Sequence, residues 1–71
     1  MDLKTARRKL IETKIGDFSA VSSGELFRMA CDAEETMTAI GSSDVAWPHF
    51  YYARQAYLDA AVIREMEERD A

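Results

Sequence analysis

Residues 22–41 read SSGELFRMACDAEETMTAIG, and this stretch decides the fold. Turned at about 100° per residue, Leu26, Met29, Ala30, Ala33, Met37 and Ile40 fall within one arc, which is the mark of a helix with a single buried face. Ser22 followed three residues later by Glu25 has capping-box spacing, and Gly41 stands ready as a left-handed stop after Ile40. The spacing therefore predicts a helix over residues 23–40. Phe27 and Cys31, four apart, lie just beyond the stripe, where they cover a neighbour or form the edge of a contact surface.

Outward from this segment, turn formers cluster at Gly16 to Gly24 and Gly41 to Ser43, dividing the chain into three parts with no internal repeat. The first part predicts a helix over about residues 2–15. Leu3, Ala6, Leu10 and Thr13 form its narrow stripe, with Ile11 and Ile15 off to one side. Asp2 near the start and Lys14 near the end suit the helix dipole, and Gly16 ends it. The third part predicts a helix over about residues 46–69. Pro48 fits its first turn, where a missing N–H is harmless, and a start one turn earlier at Ser43 or Asp44 is the alternative. This helix is apolar on more than one side: Trp47, Tyr51, Leu58, Ala61, Val62 and Met66 make one seam, and Phe50, Ala53, Tyr57 and Ala60 a second. Two seams need two partners, either the other two helices or, for one seam, another chain. No strand pattern of useful length occurs. The expected fold is an all-α, small three-helix bundle in one domain over residues 1–71, completed by homodimerisation where a seam is left over.

Length and composition agree with this. Seventy-one residues, 48% of them apolar and 31% charged, have the balance of a folded but marginal domain. Cys31 is the only cysteine, so no disulfide forms within one chain and a reducing cytoplasm is the natural setting. The N-terminal stretch never reaches an apolar run of signal length, and nothing approaches the roughly 18 apolar residues of a membrane span. Net charge is −4 but unevenly placed. Residues 1–14 carry five cations against two acids, a net +3, while the remaining 57 carry four arginines against eleven acids, a net −7. A basic start and an acidic body attract each other, within one chain or between two; the plain alternative is a solvated basic helix face.

Catalytic chemistry finds little to work with. One His and one Cys stand on expected helices without a motif around either, so no nucleophile and base are paired. Cys31 reads as a small residue at the edge of the core, and His49 as a capping or surface residue, because metal sites draw on several converging ligands. The pairs Glu34–Glu35 and Glu67–Glu68 read as solvated faces rather than as an acid–base dyad; Glu34 and Asp59 are the carboxylates with a chance of meeting across helices. Three isolated glycines make no phosphate-cradling loop. The expectation is a chain that is not an enzyme, with no cofactor and no metal.

The most distinctive segment is Trp47-Pro48-His49-Phe50-Tyr51-Tyr52, which holds four of the seven aromatic residues. Successive helix positions point about 100° apart, so Phe50, Tyr51 and Tyr52 do not share one core. Trp47, Phe50 and Tyr51 are the core candidates and Tyr52 the surface one. A protein-binding surface centred on Tyr52 is expected, with Trp47, His49, Gln55, Asp59 and Ile63 around it, since aromatic rings contribute large contact area at small entropy loss. Lys4, Arg7, Arg8, Asp32 and Glu35 are the charges placed to steer a partner. The functional expectation is a non-enzymatic regulator, inhibitor or adaptor that binds a larger protein through this aromatic-centred helix face. Two alternatives follow from charge and topology. A helix-turn-helix has this three-helix skeleton, with Lys4, Arg7, Arg8 and Lys9 on phosphate, but the third helix dilutes its arginines with five acids and the body repels a duplex. An acidic decoy would present Asp32, Glu34, Glu35, Asp44 and Asp59 to a nucleic-acid groove on another protein.

Overall fold

The structure, a computed structural model of the chain, describes residues 2–71. Three helices follow in order: α1 (Leu3–Ile15), α2 (Ser23–Ile40) and α3 (Trp47–Asp70). Among the described residues there is no strand. The chain is an all-α, three-helix bundle, and each helix begins and ends within one residue of the expected place. Local chemistry explains the agreement. The Asp2 carboxylate accepts the Thr5 N–H at 2.7 Å, and the Gly16 N–H returns to the Glu12 carbonyl at 2.8 Å with φ at +84°. Ser22 Oγ accepts the Glu25 N–H at 3.2 Å, and Gly41, at φ +83°, donates to the Met37 carbonyl. Only half of the expected capping box forms, because the Glu25 side chain turns to Arg28, at 2.6 Å, instead of back to the Ser22 backbone. At α3 the cap residue is Ala46, which has no side-chain acceptor; Asp44 takes the Ala46 N–H on its carboxylate and the Trp47 N–H on its carbonyl.

The long α3 is the centre of the arrangement. Helix α2 runs antiparallel to it as the other arm of a hairpin, with Ser23 beside Glu68 and Glu34 beside Arg54. Helix α1 is also antiparallel to α3, with Leu3 near Met66 and Leu10 and Lys14 near Tyr52. No Cα of α1 comes within 8 Å of α2. The space between them is filled by the connection, residues 16–22, which crosses back over α3 and inserts Phe18. Phe18 is 1% exposed and, with Leu26, is one of the two largest fully buried side chains. It completes a core of Ile11, Leu26, Ala56, Ala60 and Ala61, with Ile15, Val21, Met29 and Tyr57 packed around. The small alanines let both flanking helices approach α3 closely.

Several packing expectations change. The expected stripe of α1 faces outward, with Leu3 74% and Leu10 72% exposed; the inward side carries buried Ile11 with half-buried Arg8, Glu12 and Ile15. The reason is Phe18. Its ring draws α1 down on the Arg8–Ile11 side, with the Arg8 guanidinium 4.5 Å above it. In α3, Ala56 belonged to neither expected seam and is buried, whereas Tyr51, Val62 and Met66 are exposed. Cys31, expected at the core edge, is exposed as well.

Candidate interaction face

The side of α3 turned away from both α1 and α2 carries, within an arc of about 140°, Trp47, Leu58, Tyr51, Val62, Gln55, Met66, Asp59 and Tyr52. Val62 is at the centre of this arc, opposite Ala60 and Arg64, which face the core and the connection. Apolar groups of the neighbouring helices extend the face on both flanks. Phe27 and Cys31 line a groove with Leu58 and Arg54 on the α2 side, and Leu10 lines another with Tyr52, Gln55 and Asp59 on the α1 side. Leu3 and Met66 share a third toward the C-terminal end of α3. Apart from Val45 in the α2–α3 loop, every exposed large apolar residue among the described residues lies on this one side of the molecule.

The aromatic cluster forms one end of the face. Trp47, half-buried, stacks on Tyr51 with centroids 5.4 Å apart, and Tyr52 meets Tyr51 edge-on at the same distance. Lys14 lies 5.3 Å above the Tyr52 ring and Arg54 5.3 Å above Tyr51, so both phenol rings are held by cations from neighbouring turns or helices. Arg54 also donates to Glu34, while its Nε is buried without a hydrogen-bond partner. Gln55 donates to Asp59 at 3.2 Å, which fixes a polar strip along the α1 edge. The other end of the face is the exposed pair Arg69–Glu65, at 2.7 Å.

Not every expected site residue is on this face. Trp47, Tyr52, Gln55 and Asp59 are brought together there. Ile63 is half-buried and packs toward the core beside Leu3 and Arg7. His49 is exposed in the first turn of α3, on the side of the helix opposite Leu58. Lys4 and Arg7 are exposed, outside every ion pair among the described residues, and line the groove with Leu3 and Met66. Arg8 is half-buried and turned inward instead: it reaches Glu67 at 2.8 Å and Ser19 at 2.9 Å. Glu35 borders the groove with Phe27, but Asp32 borders a groove on the far side of the α2–α3 pair, with Met29 and Phe50. The carboxylates Glu34 and Asp59 bond to Arg54 and Gln55, not to each other.

Glu67 and Glu68, expected as a solvated pair, tie α1 and the start of α2 to α3, through Arg8 and Ser23 respectively. Arg64 holds Glu67 at 3.0 Å and also donates to the Val21 carbonyl at 2.8 Å. Ser23 gives Glu68 its hydroxyl at 2.6 Å and its N–H at 3.1 Å, a carboxylate at a helix N-terminus. The Arg64 hydrogen bond, with the Arg8 charge behind it, holds Glu67 below the usual glutamate range; the Ser23 hydroxyl and N–H do the same for Glu68. Among the described residues no three His, Cys, Asp or Glu side chains converge as metal ligands, and no helix is long and apolar enough to cross a membrane. No family model, curated protein or solved structure matches the chain at a significant level.

Proposed function

We propose that this chain is a non-enzymatic protein-interaction module that binds another protein through the open side of α3, in the manner of a small regulator, inhibitor or adaptor. The observation that supports this reading is the gathering of exposed apolar and aromatic residues on one side: Leu3, Leu10, Tyr52, Met66, Val62 and Phe27 are each more than half exposed. Solvent-facing helix surface at such positions is ordinarily polar, and a large exposed apolar patch marks a site that a partner covers. Tyr51 and Tyr52, packed edge-to-face and backed by cations, supply rigid contact area that loses little entropy on binding. The lone thiol of Cys31 suits a reducing compartment such as the cytoplasm. Capture of partners on the tagged chain, with and without nuclease, tests the reading. A protein retained after nuclease by the wild type, and lost with Val62→Glu or Tyr52→Ala, is expected; retention undiminished by both variants would contradict it.

Nucleic-acid binding draws its support from Lys4, Arg7 and Lys9, exposed along α1. Against it, the open side of α3 presents Asp59 and Glu65, which a duplex would oppose. Nuclease-sensitive recovery in the same experiment would favour that reading.

A further inference from the structure

We infer that the open side of α3 is closed by a second copy of this chain, packed face to face with the two α3 helices parallel. The inference rests on the interaction reading above and names its partner. Three observations lead to it.

The first is area. The molecule measures 41 × 26 × 14 Å, so its broad face is on the order of 1,000 Å², comparable to the roughly 800 Å² that each partner contributes to a standard stable interface. The accessible surface is 4990 Å², against about 4,450 Å² for a compact monomer of this mass. The second is the thinness of the core: among the described residues, five of the nine buried ones are alanine, and only Phe18 and Leu26 are large and fully enclosed. A second copy, always present at matching concentration, supplies the missing layer.

The third is charge, which also selects the geometry. Two twofold axes allow face-to-face packing. An axis across α3 sets α1 against α1 and α2 against α2, opposing like charges. An axis along α3 sets α1 of one copy against α2 of the other. Along the open side α1 presents Lys4, Arg7 and Lys14, and α2 presents Glu34 and Glu35, so only the second arrangement is attractive. Residues at the same height along α3 then face one another. Lys14, level with Tyr52, lies across from Glu35 of the partner subunit, which borders the groove at the level of Arg54. Leu58 and Val62 meet their own counterparts on the axis.

Charge reversal tests this without touching the core. Lys14→Glu and Glu35→Lys change exposed side chains, and circular dichroism verifies that each variant keeps the wild-type helix content. Native mass spectrometry of the full chain is expected to give wild type at twice the 8.0 kDa chain mass, each variant alone with its dimer dissociation constant raised at least tenfold, and an equimolar mixture of the two variants restored as a heterodimer. A wild-type chain that keeps its single mass at every concentration overturns the second copy. A dimer that both variants form as well as wild type, or that mixing fails to restore, overturns the parallel geometry. If wild type is monomeric yet Val62→Glu abolishes capture of a different protein, the inference falls while the interaction reading stands; if Val62→Glu neither alters the mass nor loses a partner, both fall.

Discussion

Phe18 fills the space between α1 and α2, whose backbones do not approach each other. Its ring is the wedge between α1 and α2, and removing a buried phenyl group costs roughly 3–5 kcal/mol, against a total stability of about 4–10 kcal/mol for a chain of this length. Phe18→Ala is expected to unfold a large share of the molecules at room temperature, and urea denaturation followed by circular dichroism measures it; an unchanged midpoint would show that the connection does not seal the core. Carboxylates held by hydrogen bonds set the acid response. In the folded state Glu67 and Glu68 lie below their ordinary 4.5, and Asp2 and Asp17, hydrogen-bonded to Thr5 and Ser19, below 3.8. The unfolded chain therefore binds more protons in acid, so this stabilisation is complete above about pH 4.5 and is lost as pH falls through the folded values. Melting temperature should be level between about pH 7 and 5 and decline below 4.5, with the decline blunted in Glu67→Gln/Glu68→Gln. A decline that begins near neutrality would assign the loss to another group.

At the scale of the elements, end signals are local and packing is not. Ser22, Gly16 and Gly41 determine where α1 and α2 start or stop through bonds within one turn of the chain, which is why those limits were legible in the sequence. The buried side of α2 was legible too, since its apolar stripe is the only one that helix has. Helix α1 has two candidate stripes of similar strength, Leu3–Ala6–Leu10 and Arg8–Ile11–Ile15, and the choice depends on Phe18, which stands in a turn-rich stretch with no periodicity to mark it. The same non-local cause hid the roles of Arg8, Glu67 and Glu68, whose partners are 59 and 45 residues away in sequence. The open face was half legible: Leu58, Val62 and Met66 read as a seam wanting a partner and Phe27 as the edge of a contact, but Leu3 and Leu10 read as core. Paired substitutions separate the two stripes of α1. Ile11→Ala is expected to cost about 2–4 kcal/mol, whereas Leu10→Ala, measured at concentrations where the chain is monomeric, should fall within about 0.5 kcal/mol of wild type. A reversed order in thermal melts would restore the outward stripe to the core.

For the whole molecule, the consequence is a bundle with α1, α2 and their connection leaving one side of α3 uncovered. Its radius of gyration, 13.0 Å, exceeds the about 11 Å of a compact chain of 71 residues, and its apolar surplus is turned toward the empty side. Val62, at the centre of that side and 57% exposed, makes few contacts that the monomer needs, so a charge there burdens the assembly and spares the fold. Sedimentation equilibrium of wild type and Val62→Glu across a hundredfold range of concentration is the most direct test. The account predicts wild type moving from twice the chain mass toward a single mass on dilution, and Val62→Glu at a single mass throughout with unchanged helix content; equal masses for the two at every concentration would contradict it.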